Sequence, residues 1–182
     1  MKLRIEHVFQ APLGEVVAAL ASSEYAAHLS EQHSFFADIR VLSRRECEHE
    51  VQRTVRYRAE PFIARLGMFS LPAEWFVWIE QSSFDLQRGL LSFDNVPEVA
   101  SVRDKVVNRG TMRFSAEQRE DGAWFTTRTS EFEIDFLVPA LVRPLAELGL
   151  TMVRRQLEGS LDEEALLLEA WLARAPGQSA AA

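Results

Sequence analysis

The chain lacks most of the residues and motifs that mark a chemistry. It has one cysteine, Cys47, so no internal disulfide can form. It has no Gly-rich phosphate loop, no Cys-x-x-Cys, no His-Glu-x-x-His and no Gly-x-Ser-x-Gly. These absences remove the best-marked enzyme classes and leave open enzymes that carry no short motif. Positive charge is not in excess: the formal net charge is −7. Bulk charge therefore does not recruit nucleic acid or an anionic membrane. No run approaches the roughly 18 apolar residues that span a bilayer. The opening MKLRIEHVFQ alternates and has no signal-peptide core. A cytoplasmic protein with no integral membrane segment is expected.

What is present is an ordinary globular composition, 47% apolar and 26% charged. A chain of this length buries a real core. With no internal repeat or linker it reads as one domain over residues 1–175, followed by a disordered tail at 176–182. Arginines cluster at Arg44, Arg45, Arg53, Arg56 and Arg58. They read as a solvated strand face or a phosphate-binding one.

Lys2 to Gln10 alternates, with Leu3, Ile5, His7 and Phe9 on one face, as a half-buried strand does. Pro12 suits the first turn of a helix carrying Val16, Val17, Ala19 and Leu20. Ser22 or Ser23 can cap a second short helix with Tyr25, Ala26 and Leu29 inward. Strands are expected at Phe35–Ser43, His49–Ala59, Ala73–Phe84 and Leu86–Phe93. A hairpin of Val106–Gln118 and Ala123–Asp135 turns at Glu120, Asp121 and Gly122. Pro61–Pro72 is an apolar connection and Asp94–Lys105 a polar loop. From about Pro144 to Arg174 the apolar positions recur every three or four residues. They predict an amphipathic helix roughly 45 Å long. Gly149 and Gly159 inside it point either to a close approach or to a local bend.

The stretch AEWFVWIEQ, Ala73 to Gln81, carries bulky apolar groups on both faces. One row is Trp75, Val77 and Ile79; the other is Glu74, Phe76, Trp78 and Glu80. The two glutamates mark their row as outward, so Trp75, Val77 and Ile79 are expected to face the interior. Phe76 and Trp78 would then form an outer apolar patch that needs a cover. A loop, a homodimer contact or a transient membrane contact would each serve.

A strand, two short helices, a run of antiparallel strands and one long final helix resemble the START-like, or SRPBCC, superfamily. IEHVFQAPLGEVVAAL looks like that superfamily's strand-into-helix opening. Within it, the chain resembles the bacterial family of unknown function DUF2505 at Glu74–Trp75, Val138–Pro139 and Trp171–Leu172. The resemblance implies an α+β helix-grip fold, a curved antiparallel sheet of six to seven strands wrapped around the C-terminal helix. It also implies an apolar cavity between sheet and helix. Members bind lipids, sterols, polyketides and other hydrophobic molecules, and a minority are enzymes.

The leading expectation is binding of a hydrophobic small molecule, lipid, fatty-acid-like or polyketide-like, for transport or sequestration. The candidate ligand-binding residues are His7, Phe9, Arg53, Val55, Tyr57, Phe62, Leu66, Trp75, Val77, Ile79, Arg128 and Met152. Arg53 sits in an inward row with Val51, Val55 and Tyr57, where a guanidinium needs an anionic or hydrogen-bonding partner, and Arg128 raises the same question if its row with Trp124, Thr126 and Phe132 faces inward. That partner is a protein carboxylate or a ligand's acid group. Phe62, Leu66 and their neighbours either pack as core or gate the cavity mouth, with Gly67 as a hinge. No cofactor is expected. No metal is expected either: Cys47 and His49 share a strand face but would need two more ligands. The alternatives are a cyclase, aromatase or hydratase using His7, Tyr57 and Arg53, and a structural or regulatory dimer without ligand.

Overall fold

The computed structural model describes residues 1–63, 65, 66 and 69–174, with Leu66 and Phe69 described in backbone only. The chain opens with β1 (Lys2–Phe9), α1 (Leu13–Ala21) and α2 (Ser23–Gln32). Ser22 ends α1 and caps α2, its hydroxyl accepting from the Tyr25 amide at 3.0 Å. Then follow β2 (Phe36–Cys47), β3 (Glu50–Ala59), the short β4 (Arg65–Leu66) and β5 (Phe69–Ser70), and β6 (Val77–Asp85). The remainder is β7 (Leu90–Pro97), α3 (Ala100–Arg103), β8 (Val106–Gln118), β9 (Trp124–Phe136) and α4 (Arg143–Leu172).

Seven strands form one antiparallel sheet in the order β1-β9-β8-β7-β6-β3-β2. Together with the long α4 this is an α+β helix-grip architecture. The inner face follows from strand periodicity. Leu3, Phe132, Phe93, Val51, Val55 and Phe84 are buried there. Against them pack Val16 of α1, Leu29 of α2 and Leu150, Leu161 and Leu168 of α4.

Several boundaries differ from the sequence reading. β2 continues to Cys47, because pairing with β3 carries it past its apolar run. β7 lies further along than expected, since the chain turns first, with Gly89 at φ 56°. Any Cβ there would lie 2.8 Å from the Phe114 carbonyl oxygen. Asp94–Pro97 is therefore strand rather than loop. The connection Pro61–Pro72 holds β4 and β5, which pair with each other apart from the main sheet. A Cβ added at Gly159 would meet nothing within 4 Å, so close approach is not the reason for that glycine. Gly67 and residues 176–182 lie outside the described residues.

The main correction concerns AEWFVWIEQ. After Pro72, Ala73–Phe76 forms a 3-10 turn, and the strand begins only at Val77. Glu74 therefore does not belong to the strand and cannot mark its phase. Val77 pairs with Arg58 and Ile79 with Arg56, so these two apolar side chains sit on the outer face. Trp78, Glu80, Ser82 and Phe84 form the inner row.

Candidate functional site

Between α4, α2 and the inner sheet face lies a cavity of about 350 Å³. Its walls are mostly apolar. Ile39, Phe93, Met112, Phe132 and Ile134 come from the sheet, Leu29 from α2, and Val153 and Leu157 from α4. Phe62, Ile63, Leu71, Trp75 and Phe76 close one side. Trp75 is 43% exposed while it lines the cavity, which places it at the rim. A second depression, broader and more open, runs over the outer sheet face among Arg4, Arg45, Gln52, Ser83, Thr111 and Glu133. Its floor carries both charges, as the free face of a sheet in water does.

Phe76 and Trp78 therefore line the cavity and do not form the outer apolar patch expected of them. Trp78 stacks on Tyr57 at 5.5 Å and 15°. Phe36 lies 5.3 Å from Tyr57 and Phe62 lies 5.3 Å from Phe76. Offset and edge-on aromatic contacts of this kind add to simple area burial.

Polar groups enter the cavity at two levels. At the α4 side, Arg128 is fully buried, and its Nη1 lies 2.6 Å from Glu164 Oε2. Arg128 Nη2 donates to His7 Nδ1 at 3.2 Å. Arginine carries only donors, so His7 Nδ1 accepts and the ring proton sits on Nε2. That Nε2 donates to Asp162 Oδ1 at 3.1 Å. Tyr25 donates its hydroxyl to the Glu164 carbonyl at 3.2 Å. Burial, and next the Glu164 charge, push the Tyr25 phenol well above its usual range.

At the sheet side, Arg53, Tyr57 and Glu80 face the same cavity. Arg53 Nη1 donates to the Leu20 carbonyl, and no carboxylate of the described residues forms an ion pair with it. Burial raises the Glu80 carboxyl above its ordinary value, with Arg53 pulling the other way. Burial likewise raises the Tyr57 phenol, aided by Glu80. Asn95 and Asn108 complete this level. Both of their Oδ1 atoms are buried without a hydrogen-bond partner.

Of the twelve candidate residues, the structure brings Arg53, Tyr57, Phe62, Trp75 and Arg128 to the cavity. His7 reaches it only through Arg128. Phe9 is buried under the Arg128 guanidinium, 5.2 Å from ring centroid to Cζ. Val55 is core, and Met152 is partly buried on α4 without lining the cavity. Val77 and Ile79 point away from it. The Leu66 side chain lies outside the described residues. Sequence reasoning missed Glu80, Asn95, Asn108, Tyr25 and Glu164. Glu80 was hidden because a charged residue in a strand reads as outward. Asn95 is hidden because the polar run Asp94–Lys105 has the composition of a loop, while the strand β7 extends to Pro97.

No protein-family model and no curated protein matches this chain. Its fold is shared with solved structures of low sequence identity. The crystal structure of TTHA0849 from Thermus thermophilus superposes with a TM-score of 0.64 at 18% identity, over 94% of this chain and 99% of that one. The Zhui aromatase/cyclase from Streptomyces sp. R1128 gives a TM-score of 0.57 at 14% identity, over 96% and 95%. The di-domain ARO/CYC BexL from the BE-7585A biosynthetic pathway gives 0.58 at 12% identity, over 97% of this chain and 51% of that one. This chain thus spans about half of the di-domain protein. At these identities the likeness is one of fold. No helix of the described residues is long and apolar enough to cross a membrane.

Proposed function

We propose that this protein binds a hydrophobic small molecule in the cavity beneath α4, for transport or sequestration. The observation that carries the reading is the cavity itself: about 350 Å³ of space with mostly apolar walls and a few convergent polar groups. Small-molecule sites have this size and character. A well-packed domain of this length closes such space, because a void costs stability in proportion to its volume. Burying apolar ligand surface supplies roughly 25 cal/mol per Å², and the polar groups set orientation. The finer kinship with DUF2505 belongs to the same proposal and rests on its three short residue pairs.

The test is extraction of the purified protein with organic solvent, followed by mass spectrometry. The expected result is one class of apolar molecule recovered near one per chain. Empty protein that also fails to take up any apolar probe would end the reading.

A second reading is an enzyme of the cyclase, aromatase or hydratase kind. Its support is the convergence of Arg53, Tyr57 and Glu80 on one chamber, together with two aromatase/cyclase proteins of the same fold. Burial raises the Glu80 carboxyl above its ordinary value, which favours its role as a proton donor to a reacting oxygen, and a guanidinium can steady an enolate. Recovery of the bound molecule chemically altered after incubation would favour this second reading over simple binding.

A further inference from the structure

We infer that the cavity selects an uncharged ligand bearing a hydroxyl group, read by a cross-strand row of Glu80, Asn95 and Asn108. The inference deepens the binding proposal and rests on it.

The row is set by register. β6, β7 and β8 are neighbours in the sheet. Glu80 pairs with Asn95. The last paired positions of β7 and β8 are Asp94 and Arg109, so the next step places Asn95 beside Asn108. The row runs on to Val55 on β3 and to Ile134 on β9. Side chains directly opposite one another in such pairs stand about 5 Å apart. Three hydrogen-bonding side chains thus lie side by side between apolar neighbours, and all three line the cavity.

Some buried polar groups are completed within the protein. Thr126 Oγ1 donates to the Ala11 carbonyl at 2.8 Å, and His33 Nε2 bonds the Ser160 carbonyl at 2.9 Å. The two asparagine oxygens have no hydrogen-bond partner among the described residues, and neither do Ser82 Oγ, Ser130 Oγ, Arg128 Nε and Glu164 Oε2. The asparagines are set apart by sharing one cross-strand row on the cavity wall, where an apolar pair would have packed without penalty. Polar side chains kept there are completed by something that enters the cavity.

The chemistry of the row narrows what enters. A half-turn about χ2 exchanges the amide oxygen and nitrogen, so each asparagine can face the cavity as donor or acceptor. A hydroxyl donates and accepts, so it matches either setting. A plain hydrocarbon leaves the row unpaired. A carboxylate would bring its charge against the Glu80 carboxyl, whose charged form burial already disfavours, and the Arg53 guanidinium that could pair with it already donates to the Leu20 carbonyl. A cation would meet Arg53, which faces the same space.

Calorimetric titration with naphthalene, 2-naphthol and 2-naphthoate tests the inference on the full chain. One hydrogen bond to an otherwise unpaired buried group predicts 2-naphthol tighter than naphthalene by about tenfold. 2-Naphthoate is expected to bind more weakly than 2-naphthol. In the variant Asn95→Leu with Asn108→Leu, the affinity ratio of 2-naphthol to naphthalene should fall below about threefold, whatever happens to naphthalene binding itself. If that variant does not melt cooperatively, Asn108→Ala alone decides, by the same loss of advantage. Equal binding of 2-naphthol and naphthalene, a preference for 2-naphthoate, or an advantage that survives the substitutions would overturn the inference and leave the binding proposal standing. Failure of all three probes to bind would overturn the binding proposal itself, and the inference with it.

Discussion

Arg128 is the residue held furthest from the water its charge prefers. Its side chain is 1% exposed, and Glu164, 2.6 Å away, is 12% exposed. Desolvating both ions offsets much of their attraction, so the pair is weak evidence of stability as a pair. Losing one partner is another matter, since the other charge stays buried. Glu164→Ala is expected to lower unfolding free energy by about 3–5 kcal/mol. Replacing both, with Arg128→Met and Glu164→Leu, should restore most of that. Urea denaturation of the two singles and the double checks it, and a double variant no more stable than the worse single would refute it. Strand alternation raises Arg128 as a buried cation in need of a partner only if its row faces inward. It could not say that the partner comes from the final helix, because that contact joins residues far apart in sequence and depends on how α4 lies. Glu80 was illegible for a different reason. A strand residue's charge ordinarily reports its face, and here a cavity makes the rule fail.

At the scale of elements, the long alternating strands and the amphipathic last helix were legible, because their period is set by one buried face. The failures sit where one residue resets the phase. Pro72 begins a 3-10 turn and shifts the start of β6 to Val77. The turn through Gly89 moves β7 onto Asp94–Pro97. β8 contains a further special position. Gly110 pairs with Phe93 on one side and Phe132 on the other, and those two rings meet at 5.3 Å. A Cβ at Gly110 would lie 2.2 Å from the Glu131 carbonyl oxygen and 2.6 Å from the Phe93 ring. Backbone cannot yield as a side-chain tip can. Gly110→Ala is therefore expected to destabilise by about 3 kcal/mol, at the upper end of overpacking costs, despite the usual preference for alanine over glycine in strands. Thermal melting reads this directly; an unchanged or higher Tm would show that the sheet relaxes around the added carbon.

Across the whole molecule, α4 is held unevenly along its length above the cavity. Its C-terminal half is pinned at several points. Ser160 receives His33 at 2.9 Å, Glu163 takes the Ser34 amide at 2.7 Å and its hydroxyl at 2.6 Å, Asp162 takes His7, and Glu164 takes Arg128. Its N-terminal half is tied to the sheet by Arg143, which reaches the Phe136 carbonyl at 3.2 Å and Asp135 at 3.3 Å. From residue 144 to 159, the side-chain hydrogen bonds among the described residues stay within the helix, as in Thr151 to Glu147 and Arg154 to Glu158. Val153, Gln156 and Leu157 of that stretch border empty space, as Ser160, Leu161 and Glu164 do further along. Apart from the buried Ala146 and Leu150, little but the helix's own hydrogen bonds opposes opening of the first stretch. Local stability follows such contacts. Amides of 146–157 are thus expected to exchange hydrogen faster than those of 161–168 in the empty protein. A guest in the cavity supplies the missing contacts, and ligand that binds only the folded form adds stability by mass action. Exchange across 146–157 should slow selectively on ligand binding, with 161–168 little changed. Hydrogen exchange followed by mass spectrometry resolves the two peptides. Uniform protection along α4, or a slowing confined to 161–168, would mean that the helix closes over the sheet as one rigid unit and that the cavity is reached by another route.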